Sequence, residues 1–318
     1  MKKKILLFVA LLSMLMCFLA IGISAETPSM YIEFGARFPG SDEYITVYTE
    51  NAESKGNPQI NFATKKFYSD IDFTNEVDMS TATGIDFSVA KSYVDGVQGN
   101  APNRMKKPSS PFVNCVEVKW FLAGMPTVSY ESSFFKGWTG LKSFDFGNAT
   151  AINDNTFEGC GFESITIPAS VTSFGGSIFK NCTSLKSVKI EGSITKHGNG
   201  DTFYGCTALE TVDLGSTTTT GTRMFSGCKS LKTINIGQIT YFGTGVFENC
   251  TSLTSVEISA SVTTIKENAF KGCTGITSAK LNEGITYVGQ SMFSGCTSLQ
   301  SQLQLQKLSQ THLQTVRR

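Results

Sequence analysis

Between Phe135 and Phe293 the apolar positions recur at an interval too long for any single helix or strand. Eight phenylalanines, Phe135, Phe157, Phe179, Phe203, Phe225, Phe247, Phe270 and Phe293, stand 22 to 24 residues apart. Three residues after seven of them comes a cysteine: Cys160, Cys182, Cys206, Cys228, Cys250, Cys273 and Cys296. In the first unit that slot holds Trp138. Three residues further stands Leu141, Leu185, Leu209, Leu231, Leu253, Ile276 or Leu299, and in the Cys160 unit a one-residue deletion brings Phe162 to the same role. Short alternating segments follow, such as Val188-Lys189-Ile190 and Val256-Glu257-Ile258. Apolar β-branched residues at period two predict a strand with one buried face. A second apolar pair, as in Val171/Phe174 or Val262/Ile265, predicts another side to each unit. Gly or Asn before most of the cysteines lets the chain turn tightly.

One unit of about 23 residues cannot bury its apolar edge alone, but stacked copies can, each strand pairing in parallel with its predecessor. The predicted fold is therefore a repeat solenoid over 112–300, with one short parallel β-strand per repeat. Residues 26–98 lack this register. Met30–Phe34 and Glu43–Tyr48 alternate and read as strands of a β-rich N-terminal cap or small module. The stretch 99–111, with three prolines, a glycine and two serines, reads as a linker. Asp70, Asp72, Glu76 and Asp78 form an acidic cluster that reads as a solvated loop.

The repeats resemble the BspA-type leucine-rich repeat. Asn268-Ala269-Phe270 with Cys273, and Ser164-Ile165-Thr166-Ile167-Pro168, carry the likeness, which covers roughly residues 115–300. Trp138 and a 24-residue step around His197–Asp201 depart from it. The resemblance implies a right-handed leucine-rich-repeat coil. It also implies a non-catalytic, exported or surface-attached scaffold for adhesion and protein binding.

Composition changes the picture mainly by exclusion. The chain carries 27 basic and 26 acidic residues, and three of the basic ones are Lys2, Lys3 and Lys4. They precede an apolar run from Ile5 to Ile23 and then Ser24-Ala25, which reads as a signal peptide over 1–25 with cleavage after Ala25. An uncleaved membrane anchor is the alternative. Without that segment the charge is near −2, which offers no footprint for nucleic acid. The expected place of the protein is outside the cell or on its surface, with no membrane contact beyond the export signal. Only two histidines are present, His197 and His312, so chemistry needing several is excluded. No Cys-x-x-Cys pair occurs, and one row of thiols makes no tetrahedral cage, so neither a metal nor a cofactor is expected. The eight cysteines beyond residue 25 read as a ladder of small buried thiols, with one or two adjacent disulfides as the other reading.

The outward strand positions form two stripes. Lys142, Glu163, Lys186, Glu210 and Lys232 alternate in sign and then give way to Thr254 and Thr277. Asp145, Thr166, Lys189, Asp213, Asn235, Glu257 and Lys280 make up the second stripe. A large mixed-charge face fits an extracellular protein or glycan partner better than a small molecule. The candidate partner-binding residues are therefore Asp145, Lys189, Asp213, Asn235, Glu257 and Lys280. His197 joins them, on an expected loop bulging from the longer coil. Two other functions fit the sequence: the targeting part of an extracellular hydrolase with a catalytic region inside 26–110, and a passive spacer. After Leu299 the pattern stops. For Gln302–Leu305 one codon choice read in another frame gives Val-Thr-Ile, so the atypical tail 301–318 reads as frameshifted or truncated, or as a short C-terminal cap.

Overall fold

The computed structural model describes residues 30–50, 59–62, 66–71, 73–94, 97–98, 104–110, 112–119, 129–130, 132–147, 149–235, 238–281 and 284–299. The expected export signal at 1–25 and the tail at 301–318 lie outside the described residues.

The N-terminal part is built on β1 (Met30–Arg37) and β2 (Ile45–Glu50), antiparallel neighbours whose alternation was the readable part of this region. β4 (Phe67–Tyr68) and β5 (Glu76–Val77) extend the sheet beyond β2. On the other side β6 (Gly84–Val94) lies antiparallel to β1, and β7 (Val97–Gln98) turns back along β6. β3 (Gln59–Asn61), β8 (Arg104–Lys106) and β10 (Ser129–Tyr130) form a separate parallel group. β8 falls within 99–111, where composition suggests a linker. Proline and glycine disfavour helix, but they do not prevent three residues between them from pairing. The one helical turn among the described residues, Met79–Thr81, is capped by the Asp78 carboxylate, which accepts the Ser80 N–H at 2.9 Å. No helix among the described residues is long and apolar enough to cross a membrane.

This N-terminal sheet runs directly into the repeats. β6 pairs in parallel with β9 (Glu117–Lys119), and β9 pairs with β11 (Ser143–Asp145) in the first coil. The core is continuous as well. Phe62 packs on Phe34, Phe112 and Phe134 at 6.0, 5.7 and 6.0 Å between ring centroids. Trp138 then carries the contact into the repeats, 4.9 Å from Phe112 and 5.0 Å from Phe135. Tryptophan occupies the cysteine slot here because its ring reaches the N-terminal core, which a thiol could not.

Each later coil has three sides. Strands β13 (Ser164–Ile167), β15 (Ser187–Ile190), β17 (Thr211–Asp213) and β18 (Thr233–Asn235) pair in parallel on the first face. β20 (Ser255–Ile258) and β22 (Ser278–Leu281) continue it as a separate pair. The second face carries β12 (Ala151–Ile152), β14 (Ser173–Phe174) and β16 (Lys196–His197), then β19 (Tyr241–Phe242), β21 (Thr264–Ile265) and β23 (Tyr287–Val288). The third side is the Phe-x-x-Cys turn. The residue before each cysteine takes a left-handed conformation, as at Gly159 (φ 71°), Asn181 (φ 57°) and Asn249 (φ 61°). Gly and Asn tolerate that region best, which explains their recurrence there.

Inside, the phenylalanines stack. Phe179, Phe203 and Phe225 lie 5.3 and 5.4 Å apart with planes within 2° of parallel. The stack runs from Phe135 to Phe293. From Phe135 to Phe270 each phenylalanine N–H is held by the next coil, Phe203 donating to the Met224 carbonyl at 2.8 Å. The cysteines are free and buried. Each ladder thiol donates to the carbonyl of the phenylalanine one coil back: Cys160 to Phe135 at 3.0 Å, Cys206 to Phe179 at 3.1 Å, Cys296 to Phe270 at 3.1 Å. A small apolar side chain with one weak donor suits that position. Burial pushes the Cys182 and Cys273 thiols up to about 12, so the row is protonated and chemically quiet.

Candidate functional site

The interior of the stack is filled by packing, so the surface available for function is outside. On the first face three rows run along the solenoid axis. A charged row just before the strands holds Lys142, Glu163, Lys186, Glu210 and Lys232, all exposed. Lys142 and Lys186 lie 3.7 and 3.2 Å from Glu163, and Lys232 lies 3.0 Å from Glu210. Such exposed pairs contribute about 0.2–1 kcal/mol each, enough to favour the stacking register without fixing it.

A middle row is made of hydroxyls: Ser143, Ser164, Ser187, Thr211, Thr233, Ser255 and Ser278. Neighbours within each paired group stand directly opposite one another, Ser187 facing Thr211 and Ser255 facing Ser278. Sequence reasoning passed over this row because serine and threonine are common throughout the repeats.

The third row holds the candidate binding residues, and the structure divides them. Asp145 and Asp213 are exposed, but each carboxylate closes a turn, accepting the Gly147 N–H at 2.9 Å and the Gly215 N–H at 3.0 Å. Lys189 stands opposite Asp213 yet pairs with Glu191 on its own strand's exit, at 3.1 Å. Asn235 occupies the matching position of β18, opposite Asp213. Glu257 and Lys280 face each other across β20 and β22 and form an exposed ion pair of 2.7 Å. Lys189, Glu257 and Lys280 thus carry exposed charge held in ion pairs, while the two aspartates each close a turn.

His197 requires a correction. It does not sit on a bulging loop. It lies in β16, in register with Phe174, so its ring takes an inward position. The one extra residue of the longer coil is absorbed after it, at Gly200 (φ 87°), whereas the left-handed Asp201 (φ 57°) has counterparts two residues before the phenylalanine in other coils, among them Asn155, Ser177 and Arg223. Asp201 pairs with Arg223, two nitrogens each at 2.9 Å, and not with the imidazole. Both His197 ring nitrogens are buried and make no hydrogen bond among the described residues. Burial holds its pKa below the ordinary 6.5, partly offset by the neighbouring Thr219 backbone. Buried in a strand, those nitrogens are turned away from the surface a partner would meet.

The stability consequence has a definite sign. Below pH 6.5 the unfolded chain binds a proton that the folded one resists, so stability falls as pH drops through that value towards the folded pKa, and it is complete above 6.5. His197→Phe, which copies Phe174 one coil back, is expected to raise stability by about 1 kcal/mol at pH 8 by removing buried unpaired nitrogens. The gain should be larger at pH 5. Urea midpoints at both pH values check this, and an equal gain at the two would refute the buried neutral imidazole.

The second face carries a feature absent from the expectations above. Thr150, Thr172, Thr195, Thr218, Thr240, Thr263 and Thr286 recur once per coil. Several donate their hydroxyl to the preceding threonine's carbonyl: Thr195 to Thr172 at 3.2 Å, Thr263 to Thr240 at 3.2 Å, Thr286 to Thr263 at 3.0 Å. With their donors spent on the backbone, they act as staples between coils.

In the N-terminal part a groove of about 580 Å³ has an apolar floor of Phe62, Phe67, Met79 and Phe112. Its two carboxylates are engaged, Glu76 with Lys66 at 2.6 Å and Asp78 at the helical turn. Asp70 likewise closes a turn, accepting the Thr74 and Asn75 N–H groups at 2.9 and 2.7 Å. Asp72 lies outside the described residues.

A family model for the BspA type Leucine rich repeat region matches residues 108–220 and 199–312, in six copies. No curated protein matches the chain. Among solved structures it is similar to a leucine-rich repeat protein from Bacteroides ovatus ATCC 8483, with 24% identity, 65% of this chain and 49% of that chain covered, and a TM-score of 0.46. It is also similar to the T. pallidum leucine-rich repeat protein (20% identity, 71% and 86% covered, TM-score 0.44). A third is a leucine rich cell surface protein from Faecalibacterium prausnitzii A2-165 (22% identity, 68% and 66% covered, TM-score 0.40). The chain spans about half the length of the Bacteroides ovatus protein and just under two thirds of the Faecalibacterium prausnitzii one. Since the family model spans the same coils that stack phenylalanine on phenylalanine and thiol on carbonyl, the chain belongs to the BspA-type leucine-rich repeat family.

Proposed function

We propose that this chain is an exported, surface-located repeat scaffold that binds an extracellular protein through its first face and catalyses no reaction. The observation that carries the reading is that face itself: exposed polar and charged rows held in register on a rigid stack, over an interior given wholly to packing. A broad polar surface of this kind suits a protein partner, because specificity there comes from matched charges and hydrogen bonds spread over area. Adhesion to host or neighbouring cells is the role this supports. The N-terminal Lys2-Lys3-Lys4 and apolar run agree with export.

The test is binding of the purified chain to immobilised extracellular-matrix proteins and to whole cells. Beside it runs the double variant Glu257→Lys/Lys280→Glu, which keeps the ion pair but reverses its polarity. Folding should be unaffected within about 0.5 kcal/mol, while binding weakens by about tenfold or more. Undiminished binding in that variant would move the site off this face, and no binding to any surface would leave a spacer.

A further inference from the structure

The first face is interrupted twice, and the two interruptions differ. Along its leading row a backbone N–H normally reaches the carbonyl one coil back. Lys142 donates to Val116, Lys186 to Glu163 and Glu210 to Lys186, each at 2.8 Å; Lys232 donates to Glu210 at 3.3 Å and Thr277 to Thr254 at 2.9 Å. Glu163 and Thr254 make no such bond among the described residues, and their strands begin new paired groups. At the first interruption side chains span the gap. The Lys142 ammonium donates to the Gly161 carbonyl at 2.9 Å and lies 3.7 Å from Glu163. At the second they turn away from it, Lys232 reaching back to Glu210 and Glu257 forward to Lys280.

An open cleft of about 180 Å³ results between β18 and β20. Lys232, Thr233 and Ser255 flank its mouth, and Leu253, Phe247 and Phe270 form its floor. By the register of the other coils, the Thr254 N–H and the Lys232 carbonyl point across this gap, one donor and one acceptor with no protein partner among the described residues. The volume lies below the roughly 300–1,000 Å³ of small-molecule sites. At about 30 Å³ per water it is room for some six waters, or one large side chain. A group that occupies it must bring a backbone-like donor and acceptor together with one apolar anchor. An extended polypeptide supplies all three.

We infer that this cleft binds an extended peptide segment of a partner protein. The segment's main chain pairs with the Thr254 N–H and the Lys232 carbonyl, and one aromatic or long aliphatic side chain rests on the Leu253, Phe247 and Phe270 floor. This rests on the first face being the binding surface and narrows it to one place.

Amide hydrogen exchange on the purified chain tests the inference, with the blocked peptide acetyl-TVFVT-amide as probe. The Thr254 amide should exchange freely in the chain alone, unlike Thr277, and about tenfold more slowly at saturating peptide. Acetyl-TVGVT-amide, which lacks the anchor, should bind about tenfold more weakly. Ser255→Trp, which fills the mouth, should weaken binding by a similar factor, while Ser278→Trp, one coil on, should not; both should keep the parent melting temperature. A Thr254 amide already as protected as Thr277 would mean the cleft is zipped shut and would overturn the inference. So would equal binding in the two tryptophan variants, or none in the parent. If the peptide fails while whole-partner binding is still lost on reversing the Glu257–Lys280 pair, the cleft falls and the face stands.

Discussion

Phe203→Ala is expected to destabilise the solenoid by about 3–5 kcal/mol. Phe203 is fully buried in mid-ladder, its ring 5.3 Å from Phe179 and 5.4 Å from Phe225. Those neighbours cannot collapse into the space it leaves, because their own N–H groups are tied to the next coil, Phe179 to Thr202 and Phe225 to Val246, both at 2.8 Å. The Phe203 carbonyl also receives the Cys228 thiol at 3.3 Å, so a shift of the backbone would disturb a second ladder. In a repeat stack each coil touches only its neighbours, and a defect in the middle divides one cooperative unit into two. Urea unfolding of the variant should therefore show a lower m-value or two steps, besides an earlier midpoint. Phe293→Ala, at the last ring with one stacked neighbour and 7% exposure, should cost about half as much and leave a single transition. Equal effects at the two positions would argue against nearest-neighbour coupling.

The second large effect is expected at the joint. Trp138→Ala should cost about 3–5 kcal/mol, and the loss should fall mainly on the N-terminal sheet. Trp138 is 1% exposed and touches Phe112, Phe134 and Phe135. Its removal leaves β6–β9–β11 pairing and the Phe62–Phe134–Phe135 contacts to tie the two parts. Hydrogen exchange should then show the β1 and β6 amides opening before those of β15 and β17, where the parent protects both together. Trp138→Cys restores the residue of the other repeats and yet should help little, because what is missing is the contact with Phe112. Retained protection in β1 and β6 would show that the two parts are coupled without Trp138.

Much of this fold is legible in the sequence because the inward columns recur from coil to coil, the phenylalanine eight times and the cysteine seven. The Phe, Cys and Leu columns are each fixed by burial, and burial leaves few alternatives. The strands follow from Val188/Ile190 and their equivalents, and the turns from Gly or Asn before cysteine. What was not legible depends on geometry that no residue type announces. The longer coil could absorb its extra residue on either side of His197, and only the left-handed Gly200, which has no counterpart in the other described coils, shows that it falls after the imidazole. The gap between β18 and β20 has ordinary residues on both sides, so nothing in Ile234 or Val256 marks it. β3, β8 and β10 pair across long sequence separations, which short-range patterns cannot report. At the candidate site the outward positions follow from the strand alternation, whereas the aspartates' partners depend on the turn after each strand. Asp145-x-Gly147 and Asp213-x-Gly215 are spacings in which a carboxylate can take up the glycine N–H two residues on.

The thiol ladder sets a race. Folded, the eight described cysteines are buried and protonated at neutral pH. Unfolded in an oxidising medium, they are eight ordinary thiols spaced for mispairing, and any bridge between coils would tie a loop the stack must later undo. Nothing in the native state rewards oxidation, because each ladder sulfur already has its acceptor in the Phe carbonyl one coil back. The yield of native protein is then decided by whether coils close faster than thiols oxidise. Pairing only between coils adjacent along the chain, about 23 residues apart, keeps each closing loop short and favours the first. Once closed, the solenoid is resistant to the medium that would have trapped its unfolded chain, and its lifetime outside a reducing compartment becomes a matter of unfolding rate more than of equilibrium stability.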